Sequence, residues 1–124
     1  MIATIEAEEV AEQYVAAGLR KLGFTIVRAG ARASVGSFIE AWQGRQRVVV
    51  RVNTTVSPGE PRSLTLEEEQ DLWRRAKRTG GRAWEARVFL GADLELVQLE
   101  WRPLESGPIG MDEPGVSRKR GCET

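Results

Sequence analysis

The most regular pattern of apolar and polar positions lies in the middle of the chain, over residues 47–53. Successive side chains of a strand point to opposite faces, so this stretch has two distinct faces. They carry Val48, Val50 and Val52 on one side, and Val49, Arg51 and Asn53 on the other. Valine favours the pleated conformation because its branched Cβ packs well there. The pattern predicts a strand whose second face turns polar towards its C-terminal end, which is typical of a site at the edge of a core.

Two stretches have the period of amphipathic helices. Residues 5–22 place apolar side chains at i, i+3 and i+4 spacing, with acidic residues at the start and Arg20 and Lys21 at the end. Residues 65–78 begin with a capping box, in which Thr65 is the N-cap and Glu68 is the third helical residue. Both stretches are followed by glycine, which commonly ends a helix.

The other apolar stretches predict strands at residues 24–28, 37–42, 83–90 and 94–101, with a loop over residues 29–36. Gln43-Gly44-Arg45 predicts a tight turn that joins residues 37–42 to the valine strand as an antiparallel hairpin. The predicted order is α-β-β-β-α-β-β, an α/β fold with a mixed central sheet flanked by helices. We expect residues 1–102 to form one domain. The Gly-, Pro- and charge-rich residues 103–124 should be a flexible tail.

Composition narrows the class of protein and of site. The chain has no apolar run of the roughly 18 residues that a membrane span needs, no signal-peptide pattern, and one cysteine, Cys122. We therefore expect a cytoplasmic protein without a membrane partner. Histidine is absent, which excludes Ser-His-Asp catalysis and His-ligated metal. The 18 basic and 18 acidic residues cancel, so nucleic-acid binding would depend on local patches rather than on a basic excess.

The opening helix and the central hairpin carry a resemblance to a known family. The helix has Glu12 in its middle and ends in Gly23-Phe24, and the hairpin spans residues 37–53. This arrangement resembles the restriction-endonuclease-like PD-(D/E)XK superfamily, and within it the small archaeal-type Holliday-junction resolvases. The resemblance covers about residues 6–101 and implies a site with a helix glutamate, an aspartate that begins the hairpin, and Glu-x-Lys on its second strand. In that family, carboxylates hold Mg²⁺ at the scissile phosphate.

The sequence departs from this motif at most site positions. Glu12 matches the helix glutamate, but Ser37 (or Phe38, one register away) stands at the aspartate, and Arg51 and Asn53 stand at Glu-x-Lys. A guanidinium would repel a divalent cation. We therefore predict a vestigial site with no catalytic residue, no metal and no cofactor, and an ion pair between Arg51 and Glu12. The alternative is a rearranged Mg²⁺ site in which Glu40 has become a ligand.

Arginines are the candidate contacts to a DNA backbone, because a guanidinium group can donate two parallel hydrogen bonds to a phosphate. The predicted set is Arg28, Arg32, Arg51, Arg74, Arg75 and Arg78. For the helix residues, the simpler explanation is a solvated face that complements the helix dipole; for Arg28 and Arg32 it is a surface loop. The four tryptophans are expected to be core or interface anchors rather than base-stacking platforms.

The sequence is compatible with three functions. The first is a catalytically inactive, nuclease-like DNA-binding or DNA-processing accessory factor, expected to be a homodimer by analogy with the resolvases. The second is a protein-interaction or structural subunit that kept only the fold, which zero net charge favours. The third is a metal-dependent DNA endonuclease with a rearranged site.

Overall fold

A computed structural model describes residues 5–33 and 36–104, with side chains described outside residues 28–36. These residues form two helices and five strands in the predicted order. The elements are α1 (Ile5–Lys21), β1 (Thr25–Ala33), β2 (Gly36–Gln43), β3 (Gln46–Val56), α2 (Leu66–Arg78), β4 (Arg82–Leu90) and β5 (Leu96–Leu104).

The five strands form one mixed sheet in the order β1-β2-β3-β4-β5. Three neighbouring pairs are antiparallel, whereas β3 and β4 are parallel. A parallel pair needs a crossover connection, and α2 supplies it between β3 and β4. The α/β prediction with its mixed sheet is confirmed.

The first strand is longer than the sequence pattern predicts. β1 continues to Ala33, through most of the stretch expected to be a loop, and its pairing with β2 shifts register twice, between Ile26 and Arg28 and between Arg28 and Ala31. Small residues have low strand propensity, but hydrogen bonding to a neighbouring strand overrides it. At the other end β5 runs to Leu104. The rest of the predicted tail, residues 105–124, lies outside the described residues.

The larger part of the core lies between α1 and one face of the sheet, which we call the α1 face. Val48, Val50 and Val52 of β3 point into it, together with Ala11, Val15 and Leu19 of α1. At its rim, the rings of Phe24 and Trp84 and those of Trp84 and Trp101 meet edge to face, with centroids 5.6 and 5.8 Å apart. Trp84 and Trp101 are therefore core anchors, as expected.

A smaller apolar cluster lies between α2 and the opposite face of the sheet, the α2 face. Its buried members are Phe38, Val49, Leu64, Leu72, Ala76, Ala83 and Leu104. The helix starts with the predicted capping box, in which the Thr65 side chain accepts from the Glu68 backbone and the Glu68 side chain accepts from the Thr65 backbone. Among the described residues, no helix is both long enough and apolar enough to span a membrane.

Candidate functional site

The four predicted site residues are buried, but the sheet separates them into two pairs. Glu12 of α1 and Ser37 of β2 lie on the α1 face, where the Ser37 hydroxyl donates a hydrogen bond to the Glu12 carboxylate. Arg51 and Asn53 alternate with the α1-face valines and therefore lie on the α2 face. These positions do not converge on one point.

Arg51 contacts a carboxylate of α2. Its Nη2 lies 3.2 Å from Glu68 Oε2, and only 5% of the residue is exposed. The predicted ion pair between Arg51 and Glu12 is therefore wrong. Strand alternation puts the Arg51 side chain on the side of the sheet that α2 covers, so Glu68 is the carboxylate within reach.

Glu68 also holds a second arginine. Arg62 Nη1 and Nη2 donate to its two carboxylate oxygens over 3.0 and 2.9 Å. The hydrogen bonds from Arg62 lower the pKa of Glu68 to about 2, helped by the Thr65 backbone and by the charge of Arg51, against the opposing effect of burial. Burial lowers the pKa of the Arg51 guanidinium, and the charge of Glu68 offsets part of that effect. The carboxylate thus stays ionised at neutral pH.

Asn53 belongs to a second set of buried contacts, centred on Glu85 of β4. The Asn53 amide donates to Glu85 Oε2 over 2.7 Å and to the Arg62 carbonyl over 2.9 Å. Arg102 of β5 donates to Glu85 Oε1 over 2.6 Å and to Glu69 Oε2 over 2.7 Å. Burial alone would lower the pKa of Arg102, but its hydrogen bonds to Glu85 and Glu69 outweigh that effect and raise it.

These contacts form a polar row across β3, β4 and β5 on the α2 face, and Phe38 of β2 lies at its end. The register aligns Phe38 of β2 with Arg51, Arg51 with Glu85, and Glu85 with Arg102. The Phe38 ring lies 5.5 Å from the Arg51 guanidinium and 4.3 Å from that of Arg75, so it is in cation–π contact with both. The end of β3, where the resembled nucleases carry Glu-x-Lys, is here filled by guanidinium–carboxylate pairs.

The residues present do not fit a Mg²⁺ site. In the described part of the chain, no three His, Cys, Asp or Glu side chains are grouped so that they could hold a metal ion. Glu40, the alternative ligand, lies opposite Val49 on the α2 face, whereas Glu12 and Ser37 face α1. Hard cations need several converging oxygen ligands, and on the α2 face Glu68, Glu69 and Glu85 already pair with arginine.

The predicted DNA-contacting arginines fall in different environments. Arg74 and Arg78 are exposed on α2. Arg75 is partly buried, with its Nε 2.9 Å from Asp71 Oδ2. Arg28, at the end of a predicted strand, and Arg32, within the expected loop, both lie on β1, and their side chains are outside the described set.

The partners Glu68, Glu85, Arg62 and Arg102 were not predicted as site residues. Glu68 was recognised only as a capping residue. Glu85 had a usable signal: it is a charged residue between the apolar Trp84 and Ala86 of a predicted strand, a position where burial requires a partner.

Comparison with known proteins supports the fold. No protein-family model matches the chain, and no curated protein does. Among solved structures, it is similar to Archaeoglobus fulgidus Hjc, a Holliday junction resolvase from an archaeal hyperthermophile. The TM-score is 0.55 and the identity 22%, over 75% of each chain. The chain therefore has a resolvase-like, restriction-endonuclease-like fold.

Proposed function

We propose that this chain binds nucleic acid as an accessory factor in DNA processing and does not cleave it by a metal-dependent mechanism. The likeness to a Holliday junction resolvase supports the first half of the proposal. The observation that carries the second half is the Arg51–Glu68–Arg62 cluster, in which Arg51 is buried, at the place where the motif would put its catalytic Glu and Lys.

The chemistry of that cluster argues against a hidden nuclease site. A carboxylate that binds Mg²⁺ must offer free oxygen lone pairs, and both oxygens of Glu68 already accept from guanidinium groups. A metal cation at this point would be repelled by the guanidinium of Arg51, whose buried charge is only weakly screened, unless Arg51 moved away. The cluster does what a structural ion pair does: it ties α2 to β3.

The predicted phosphate-contacting arginines differ in how far their side chains are exposed to solvent. Arg51 and Arg75 are engaged inside the fold with Glu68 and Asp71. Arg74 and Arg78 remain exposed on α2 and are the better candidates from the predicted set, since a phosphate contact needs a side chain that solvent can reach.

Two assays on the purified protein test the two halves separately. In a salt titration with labelled linear and branched DNA, we expect binding at low salt that weakens as salt rises. When the protein is incubated with the same DNA and Mg²⁺ or Mn²⁺, we expect no cleavage. Absence of binding at the lowest salt would refute the first half. Cleavage that Glu12→Ala abolishes would refute the second and favour the endonuclease with a rearranged site.

A protein-interaction role is the second candidate, because part of the sheet is uncovered. Val27 on the edge strand β1 and Trp42 on its neighbour β2 are 48% and 41% exposed. Self-association is one form of such a role, and we propose a homodimer by analogy. Light scattering on the eluting protein tests this, since a monomer at all concentrations would exclude it. Trp101 is a poor dimer anchor because it packs under α1, where a Cβ added at Gly18 would lie 3.0 Å from its ring.

A further inference from the structure

The fold collects exposed basic side chains where both helix C-termini, the β2–β3 hairpin and the start of β4 meet. We call this group the basic end. Its members are Lys21, Arg45, Arg47, Lys77, Arg78 and Arg82, all exposed. Arg51, the nearest residue of the vestigial site on β3, lies four residues beyond Arg47, a separation of about 13 Å at strand spacing. The basic end therefore adjoins the vestigial site but does not include its residues.

Three contacts bring these segments together. The Gln43 side chain donates to the Leu22 carbonyl over 3.3 Å, which joins the end of α1 to the β2–β3 hairpin. A Cβ added at Gly81 would lie 2.7 Å from the Arg47 carbonyl oxygen, so the end of α2 abuts the start of β3. Arg82 then pairs in register with Val48. Both helix C-termini, the hairpin and the start of β4 thus share one end of the fold.

The local charge is strongly positive although the whole chain is neutral. Residues 20–25, 41–48 and 74–84, which meet there, contain nine arginines and lysines and no aspartate or glutamate. None of the six members of the basic end pairs with a carboxylate in the part of the chain that the structure describes. A cluster of this kind attracts a polyanion.

Helix dipoles do not account for the cluster. Each helix C-terminus carries the equivalent of about −0.5 charge, which one nearby cation complements. Arg45, Arg47 and Arg82 lie on the hairpin and on β4, outside both helices. Their positive charge is left over after both dipoles are complemented, and it is available to attract a polyanion.

An exposed aromatic side chain stands among these charges. Trp42 faces Arg47 across the hairpin and is 41% exposed, unlike the partly buried Trp84 and Trp101. Single-stranded nucleic acids bind where a basic surface tracks the phosphates and an aromatic side chain stacks on a base. Arginine, four of the six members, binds phosphate in a forked geometry.

From this juxtaposition we propose that the basic end binds single-stranded nucleic acid, with Arg45, Arg47 and Arg82 on its phosphates and Trp42 stacked on an unpaired base. The inference rests on the proposed nucleic-acid binding and assigns it to a surface outside the vestigial site. It also departs from the expectation that the tryptophans serve only as anchors.

Fluorescence anisotropy with the full chain tests the assignment, using a labelled 20-nucleotide oligothymidine, a 20-base-pair blunt duplex and anionic phospholipid vesicles. The variant Arg45→Ala/Arg82→Ala removes two exposed charges of the basic end. Arg62→Ala/Arg87→Ala removes two charges elsewhere as a matched control. We expect the first variant to bind oligothymidine at least fivefold more weakly at low salt and to lower the salt slope by about 1.4, at about 0.7 per phosphate contact. The control should stay within twofold of the unmodified protein.

Variants of Trp42 test the stacking contact. Trp42→Ala should weaken oligothymidine binding about tenfold and leave duplex binding within twofold, whereas Trp42→Phe should retain most of the affinity. Trp42, Arg45 and Arg82 are exposed, so their replacement should leave the fold intact. The control loses the contacts of Arg62 with Glu68 and of Arg87 with Glu100, so circular dichroism checks that every variant, the control included, is folded.

The outcomes separate this inference from the proposed function. If the unmodified protein binds DNA and Arg45→Ala/Arg82→Ala binds it equally well, the basic end is excluded while the proposed function stands. If the unmodified protein binds neither nucleic acid at the lowest salt, both fall. Binding to vesicles alone would replace nucleic acid with a membrane surface. An equal loss on both nucleic acids in Trp42→Ala would overturn the single-strand assignment.

Discussion

Replacing Glu68 with glutamine should destabilise the protein at neutral pH and much less in acid. Glu68 accepts three side-chain hydrogen bonds, two from Arg62 and one from Arg51. Glutamine keeps the shape of the side chain but loses the charge. It therefore leaves the nearly buried Arg51 guanidinium without a counter-charge, which is among the more costly changes in a protein interior.

The pKa shift sets the size of the effect. The pKa of Glu68 falls from 4.5 to about 2. At about 1.4 kcal/mol per unit, the ionised carboxylate contributes at most about 3 kcal/mol. The Arg62 side chain is 56% exposed, and solvent screens its share of the interaction. We therefore expect Glu68→Gln to lower the free energy of unfolding by roughly 2 kcal/mol at pH 7.

The direction of the pH dependence follows from the lowered pKa. A carboxylate whose pKa is lower in the folded state stabilises the fold fully above its unfolded pKa of about 4.5, and loses that effect as the pH falls towards 2. At pH 3 the difference between the unmodified protein and Glu68→Gln should have shrunk to about 1 kcal/mol or less.

Urea denaturation followed by tryptophan fluorescence at pH 7 and pH 3 measures both values. Glu67→Gln, an exposed neighbour in the same helical turn, is the matched control and should lose under about 0.5 kcal/mol. Equal losses for Glu68→Gln at both pH values would refute the reasoning. Arg51→Leu provides the converse test: it removes the buried cation while Arg62 still holds Glu68, so stability should be unchanged or higher.

Two further substitutions test the packing of each helix. Thr65→Ala removes the N-cap of α2 and should cost about 1 kcal/mol of unfolding free energy, with the exposed Ser63→Ala as the control; an unchanged urea midpoint would contradict the capping role. Gly18→Leu would force a side chain into the space where a Cβ already meets the Trp101 ring at 3.0 Å and Leu99 Cδ2 at 3.3 Å, and should cost about 1–3 kcal/mol from overpacking. Ala17→Leu on the exposed side of α1 should be nearly neutral in thermal unfolding, and similar melting temperatures for the two leucine variants would argue against close packing at position 18.

Short sequence patterns predict most of the helices and strands of the fold. Strand alternation over residues 47–53 and the capping box at Thr65 are properties of short segments, so the hairpin and α2 could be predicted without any tertiary contact. β1 could not be predicted to its full length, because its small residues are held in the strand by pairing with β2.

The ion-pair partner of each site residue depends on which face of the sheet each helix covers. The alternation of side chains along a strand does not show which helix lies on which face. It divided β3 correctly into two faces, but both faces begin with valine, and nothing in the sequence assigned α1 to one and α2 to the other. The sequence therefore predicts Glu12 as the partner of Arg51, although the sheet lies between them. The same limit applies to the basic end: Arg45 and Arg82 come to the same end of the sheet only through the parallel pairing of β3 with β4.

The guanidinium of Arg51 has a consequence for how the chain avoids misfolding. Val48, Val49 and Val50 are all buried, so the apolar residues alone would tolerate a slip of β3 by one residue, which exchanges the two faces of the strand. In a slipped strand, Arg51 would lose Glu68 and lie on the α1 face, where the Glu12 carboxylate already accepts from Ser37. Breaking the Arg51–Glu68 pair and moving Asn53 away from Glu85 would cost on the order of 3 kcal/mol. The polar residues of β3 thus favour one alignment of a strand whose valines alone would tolerate two.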